Sequence, residues 1–401
     1  VRIILTLPFL MLALFASAQV PIADAGLGLV NRLMDAGPTH ATLKCSLDKQ
    51  PPVMDFAFRF DARYLISCPI YQFEPGAKLS VYLRITPATG DPVILGESYQ
   101  VRSVPPELAA RMRPSDLKKL ELQASGSVAL GAGNYTAELI VVDSTDRTFF
   151  GRWTLQATPK GHERDIPMTL QPNTVLPTMF VPWNGKPPEK SADLRLTVLL
   201  HAVPMNPSAA KLYAWDRIFL LETLFSLLRQ TPYKSIRLVA FNLDQQRELF
   251  RDEQFGVRSL NKLEQSLQDA EMATVSYRAL QGKGWSELLT KLTQEELKSK
   301  HPSDAVIFLG PSSRFEDRIP KGTLGSLETD GRPFFYFEYY PWFLKGREFP
   351  DAIHYLTKDL HGTVFPIHTA PELAVSIHKM LTQLKHSDKT ATIGSPTLPG
   401  K

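Results

Sequence analysis

Cysteine is almost absent: Cys45 and Cys68 are the only two in 401 residues. That excludes a disulfide-dense scaffold, and the lack of C-x-x-C spacing excludes the usual zinc and dithiol redox arrangements. Concentrated charge of one sign is also missing. The formal net charge is only +4, with Lys and Arg interleaved among Asp and Glu, so no basic stripe offers a nucleic acid backbone its counter-charge. No apolar run reaches the roughly 20 residues needed to cross a bilayer as a helix, so no stable membrane span is expected. The chain carries no G-x-S-x-G elbow, no P-loop lysine and no G-x-G-x-x-G, which removes the recognisable signatures of hydrolase, nucleotide and dinucleotide chemistry. Gly282-Lys283-Gly284 lacks the rest of a phosphate loop and reads as the cap of the helix after it.

The amino-terminal end does carry a pattern. Arg2 precedes a short apolar run over residues 3–15, followed by Ala16-Ser17-Ala18. One positive charge, a short hydrophobic stretch and an A-x-A end describe an export signal spanning residues 1–18 and cut after Ala18. Export to an oxidising compartment, periplasmic or extracellular, predicts that Cys45 and Cys68 are bonded to each other. Closing that loop stabilises the fold by about 3 kcal/mol. At the other end, residues 386–401 are small and polar without a period, and are expected to form a disordered tail.

Residues 40–158 read as an all-β sandwich. A helical turn over 27–34 precedes it. Phe56, Phe58 and Phe60 alternate with Ala57 and Arg59; Leu79, Val81, Leu83 and Ile85 alternate with Ser80, Tyr82 and Arg84. Period two marks strands with one buried face. Glu74-Pro75-Gly76, Thr89-Gly90-Asp91-Pro92 and Gly131-Ala132-Gly133-Asn134 supply turns, and residues 105–122 a broken helical insert. The stretch 130–155, LGAGNYTAELIVVDSTDRTFFGRWTL, resembles the last two strands of bacterial immunoglobulin- or fibronectin-like sandwiches. That resemblance implies that Tyr135 ties a corner through its hydroxyl; its residue type alone fits a half-buried strand aromatic equally well.

Seven prolines crowd residues 159–193, which forbids helix and central strands and marks a joint between domains. Residues 194–385 then alternate strand-like and helix-like segments, opening with the buried run LRLTVLLHAV at 194–203. Such alternation implies a mostly parallel sheet with helices on both faces. SIRLVAFNLDQQRELF, DAVIFLG and DAIHYLTKDLHGTVFPIHTAPELAVSIHKML resemble the second and third strands, the fourth strand and the closing helix–strand–helix of von Willebrand factor type A domains. The expected fold class is therefore multidomain: an amino-terminal all-β sandwich and a carboxyl-terminal doubly wound α/β domain of the von Willebrand A-like kind.

The resemblance also identifies an absence. Metal-binding members of that family place D-x-S-x-S at the end of the first strand and a further Asp at the end of the fourth. Here those positions hold His201, Val203, Met205 and the neighbourhood of Gly310, none of which offers the oxygen ligands a hard cation needs. Asn206 and Ser208 bear oxygens, but Pro204 and Pro207 distort their loop. No metal and no cofactor are expected, and His354, His361 and His368, seven residues apart, fall on different elements.

One aromatic stretch stands out, FFYFEYYPWF at 334–343. Its first half suits a buried strand. Tyr339, Tyr340, Trp342 and Phe343 run past the strand's carboxyl end, where open α/β sheets bind ligands and where aromatic side chains serve interfaces; a loop covering the sheet edge is the other reading. Together with His201 these four form the candidate binding site. The function expected is non-catalytic: an exported binding or scaffolding protein whose metal-free α/β domain contacts a protein partner. The alternative is an extracytoplasmic hydrolase with His201 as base at the same sheet edge, and a third reading gives the sandwich a carbohydrate.

Overall fold

A computed structural model of the chain describes residues 20–22, 24–37, 42–102, 104–105, 107, 110–178, 183–185, 188, 194–273, 275, 277, 281–320, 332–341, 345–346 and 348–393, without the side chains of 24–26 and 386–393. Two compact units emerge. The first comprises Val1–Met54 and Arg59–Phe180, the second Asp55–Phe58 and Val181–Lys401. The proline-rich stretch is thus divided, and the residues of the export signal lie outside those described.

The first unit contains two sheets. One has the order β1-β6-β5-β8-β9, built from β1 (Val20–Pro21), β5 (Lys78–Pro87), β6 (Val93–Gln100), β8 (Gly133–Asp143) and β9 (Thr148–Ala157). The other has the order β10-β7-β4-β2 with β3 also on β4, from β2 (Ser46–Lys49), β3 (Val53–Met54), β4 (Phe60–Pro69), β7 (Glu121–Leu130) and β10 (Val175–Pro177). Alternation drives the packing: Leu79, Val81, Leu83 and Ile85 of β5 and Tyr135, Ala137, Leu139 and Val141 of β8 are all buried. Gly126 faces Tyr64 across the β4–β7 ladder, and a Cβ there would lie 2.3 Å from the Tyr64 hydroxyl; the ring needs that gap. Cys45 and Cys68 are joined in a disulfide. The Tyr135 hydroxyl donates to the Gly131 carbonyl at 2.8 Å, a closed corner.

Two local expectations change. Phe56 and Phe58 belong to a turn before β4 rather than to a strand: Ala57 N–H donates to the Asp55 carboxylate and Phe58 N–H to the Asp55 carbonyl, and Phe58 has φ 57°. Local turn bonding by Asp55 outcompetes the ladder. The helical insert shrinks to α2 (Pro114–Leu117), whereas the amino-terminal turn grows into α1, a helix over Asp24–Ala36.

The second unit holds a six-stranded sheet of order β13-β12-β11-β14-β15-β16. Its strands are β11 (Arg195–His201), β12 (Ser235–Asn242), β13 (Arg247–Asp252), β14 (Ala305–Pro311), β15 (Phe334–Tyr339) and β16 (Thr363–Ile367). The helices are α3 (Ala214–Gln230), α4 (Leu260–Met272), α5 (Gly284–Leu297), α6 (Ala352–Asp359) and α7 (Ala370–Ile393). One sheet face, with Leu199, Val239, Phe241, Val306, Phe308, Phe334 and Tyr336, packs on α5 through Trp285, Leu289 and Leu292 and on α6 through Ile353 and Leu356. Helix α7 continues to Ile393, beyond the Lys385 at which the sequence pattern ends it.

The expected fold class, a sandwich joined to a doubly wound α/β domain of the type A kind, is corrected by the strand pairing. The described chain is mainly β, and no clear doubly wound type A arrangement is found. Nine of its thirteen strand pairings are antiparallel. The sheet of the second unit is itself mixed: four pairings are parallel, but β12 and β13 form an antiparallel hairpin with a register shift at Ala240/Phe241. The physical reason is that continuous apolar runs report burial, not strand direction, and short turns favour antiparallel neighbours. The turn before β13 places Gln246 at φ 53°.

Candidate functional site

His201 ends β11, and its position is set by Gly310. The strand pair β11–β14 brings Gly310 so close that a Cβ there would sit 2.4 Å from the His201 carbonyl. A carboxylate at that position is therefore excluded by packing. The His201 side chain is wholly buried, stacks on Phe241 with ring centroids 5.1 Å apart, and lies 3.0 Å through Nδ1 from the Pro311 carbonyl. A carbonyl only accepts, so Nδ1 carries the hydrogen and Nε2 presents a lone pair, which finds no partner. Burial, with nearby Arg314 adding to it, lowers the pKa to about 4 against the helping Pro311 bond. The imidazole is neutral near pH 7.

Beyond the strand the loop is closed on itself. Asp216, in the first turn of α3, accepts Met205 N–H and Tyr213 N–H, both at 2.9 Å, and burial raises its pKa. The Asn206 side-chain oxygen accepts Ser208 N–H at 3.0 Å. Val203 is buried. Arg314 pairs with buried Asp244 at 2.8 Å and donates to the Ala209 carbonyl. Among the described residues no group of three or more His, Cys, Asp or Glu is arranged to hold a metal ion.

A second polar cluster lies on β15 and the cap of α6. Glu338, with no exposed surface, accepts the Tyr340 hydroxyl at 2.5 Å and meets His354 Nδ1 at 2.9 Å. Asp351 caps α6: its carboxylate accepts His354 N–H at 2.7 Å, Ser313 N–H at 2.6 Å and the Tyr336 hydroxyl at 3.1 Å. Burial, then the like charge of Glu338, raises the Asp351 pKa to about 7 against those donors. Tyr340 also stacks on His368, centroids 5.6 Å apart. His368 lies 3.0 Å from Glu348 and 3.5 Å from Glu372, and Glu372 bonds Lys345 at 2.6 Å.

The expected site residues are thus placed as follows. His201, Tyr339 and Tyr340 are all buried. Tyr339 ends β15 with its ring edge-on to Phe219 and Phe56, so its face is used in packing. Trp342 and Phe343 lie outside the described residues. His354 and His368 each find acidic partners near Tyr340, while His361 sits apart at the α6–β16 junction with φ 57°. Asp216, Asp244, Arg314, Glu338 and Asp351 escape sequence reasoning because each is a single charged residue whose partner is remote in the chain. The one signal is Glu338 itself, a lone acid in an aromatic strand. The exposed aromatics of this unit are others, among them Tyr213, Trp215 and Phe349.

No family profile and no characterised protein matches the chain. Among solved structures it is similar to the structural-genomics target SoR45 (14% identity, 29% of this chain and 88% of that one, TM-score 0.18). It is also similar to the sensor domain of the anti-sigma factor RsgI4 of Pseudobacteroides cellulosolvens (11%, 29% and 98%, TM-score 0.18). A third similarity is to β-glucuronidase 2 of Bacteroides uniformis (10%, 80% and 38%, TM-score 0.19). Likenesses this faint carry no argument about fold or function.

Proposed function

We propose that the chain is an exported, non-catalytic binding or scaffolding protein that contacts another protein without a metal. Residues 1–18 serve as its cleaved export signal, and it acts in the periplasm or outside the cell. The Cys45–Cys68 disulfide fits export, as does the lack, among the described residues, of a helix long and apolar enough to cross a membrane. One observation carries the non-catalytic reading. At the carboxyl edge of the six-stranded sheet, His201, Glu338 and Asp351 are each exposed by 1% or less, and the two acids bond to their own surroundings. A general base must reach the proton it removes, and these groups reach only the protein.

The hydrolase reading has one feature in its favour, the neutral His201 imidazole with its unbonded Nε2. Turnover of generic ester and glycan substrates by the full chain and by His201→Gln separates the two. The binding reading expects no turnover by either and capture of one protein from envelope extract, unchanged by chelator. Ester or glycan cleavage lost in His201→Gln overturns it, as does capture that requires Mg²⁺.

A further inference from the structure

The first unit has a second apolar face. On the sheet β1-β6-β5-β8-β9 the side chains between those of the sandwich interior also come together: Tyr82 pairs with Gly96 and Ile140, Arg84 with Ile94 and Glu138, Ser80 with Val142. Ile94 and Ile140 are buried, and they cluster with Val30 and Met34 of α1 and with Ile22, Leu27, Leu33, Tyr82 and Val142. Gly96 makes room for Ile22; a Cβ there would lie 3.1 Å from it. This outer face is therefore a groove that accepts an amphipathic helix, apolar at positions three and four apart.

The resident helix fills that groove incompletely. Of the α1 side chains described, only Val30 and Met34 are buried; Gly28, Leu29, Arg32, Asp35 and Ala36 are exposed. Strand β1 adds two exposed residues to the edge of β6. Where α1 ends, a hollow of about 420 Å³ opens between Leu33, Ala36 and Gly37 on one side and Ile140, Arg147 and Thr148 on the other. The groove thus runs on past the end of the helix that lies in it.

Its polar end is selective. Arg84, half-buried between the two rows, bonds Glu138 at 2.7 Å within the sheet and reaches up to Asp35 at 2.9 Å and Asn31 at 3.2 Å on α1. Positions 31 and 35 are one turn apart, so the guanidinium reads an oxygen-bearing side chain and a carboxylate on the same helix face.

We infer that this groove is the partner-binding surface of the protein, held by α1 as a displaceable placeholder. The occupant it fits is a helix of another protein, longer than α1 by about one turn, with apolar residues at i, i+3 and i+7 and a carboxylate over Arg84. The extra turn lays an apolar side chain into the hollow that α1 leaves. This inference rests on the binding role proposed above and names its surface.

The test uses the full chain and two fluorescent peptides: residues 20–36, and the same sequence extended by one leucine-bearing turn. Val30→Asp with Met34→Asp frees the groove. The double variant is expected to bind both peptides, and the extended one about tenfold more tightly, as burial of one leucine implies. Adding Arg84→Gln lowers both affinities, and the unaltered chain binds both more weakly than the double variant. Equal affinity for the two peptides overturns the inference. So does no binding by a double variant that keeps its circular dichroism. A concentration-dependent dimer, each copy donating its own helix, also overturns it in favour of self-exchange. Should the double variant unfold, a protease site inserted between residues 38 and 41 of the unaltered chain releases α1 from its tether. The extended peptide must then displace it, and failure to do so overturns the inference. Because the peptides probe the groove alone, a negative result leaves capture by the whole chain to be judged on its own.

Discussion

The two units treat their polar residues in opposite ways. At the edge of the six-stranded sheet the charged groups are buried and locked: Asp351 takes three donors, Glu338 holds Tyr340 and His354, and Asp216 fastens a loop. On the outer face of the first unit, Arg84 lies under an otherwise apolar cover held by one lightly buried helix. The first arrangement is expensive to open, because each exposed partner leaves another buried group unpaired. The second is inexpensive to open. A charged cluster in a sheet edge is therefore the weaker clue to recognition here, and a thinly covered apolar groove the stronger one.

This contrast can be broken or sharpened by measurement. The largest effect is expected from Asp351→Ala, which strands Ser313 N–H, the Tyr336 hydroxyl and the α6 cap; unfolding in urea should show a loss of about 3–4 kcal/mol. A loss below 1 kcal/mol would mean that the edge is not locked. Replacing Cys45 and Cys68 together by Ala should cost the first unit about 3 kcal/mol, read as a lower midpoint in the same titration. Tyr135→Phe removes the hydroxyl that closes the Gly131 corner and should cost about 1–2 kcal/mol; an unchanged midpoint would reduce Tyr135 to an ordinary strand aromatic.

The pH dependence of stability supplies a subtler test, since two buried groups pull in opposite directions. His201 is a base whose pKa is lowered to about 4. The folded state binds its proton less readily than the unfolded one, so its contribution is full above about pH 6.5 and is lost as pH falls toward 4. Asp351 is an acid raised to about 7. Its folded form holds the proton more tightly, so its contribution is full below about pH 4 and is lost as pH rises through 7. His201→Gln should therefore flatten the acid limb of a stability profile, and Asp351→Asn the opposing trend toward neutrality. Profiles unchanged by either substitution would show that neither group is as sealed as its burial implies.

How far the sequence reaches differs by element. The alternation at 79–85 and the turn at 131–134 read correctly, because a half-buried strand writes its two faces into the chain. The cysteine pairing followed from there being only two. The direction of the strands was not readable, and the expected doubly wound class fell on that point. The buried runs at 195–201 and 305–311 look alike whatever their neighbours do. Phe56 and Phe58 misled for a related reason: their alternation continues that of β4, but Asp55 turns the chain first. The site was the least legible part. His201 was visible as a polar residue ending an apolar strand, yet only its contacts with Pro311 and Gly310 reveal it as closed off.

Composition and periodicity by themselves determined that this chain buries apolar strands, carries one pairable couple of cysteines and offers no concentrated charge to a nucleic acid. Those properties are sums over neighbours in the chain. Tertiary structure alone decided which acids share a buried environment and that the outer face of a sheet is covered by the chain's own first helix. Glu338 and Asp351, or Arg84 and Asp35, are separated by 13 and 49 residues in the sequence. Their energies depend on distance and on exclusion of water, and both are set only when the sheets assemble.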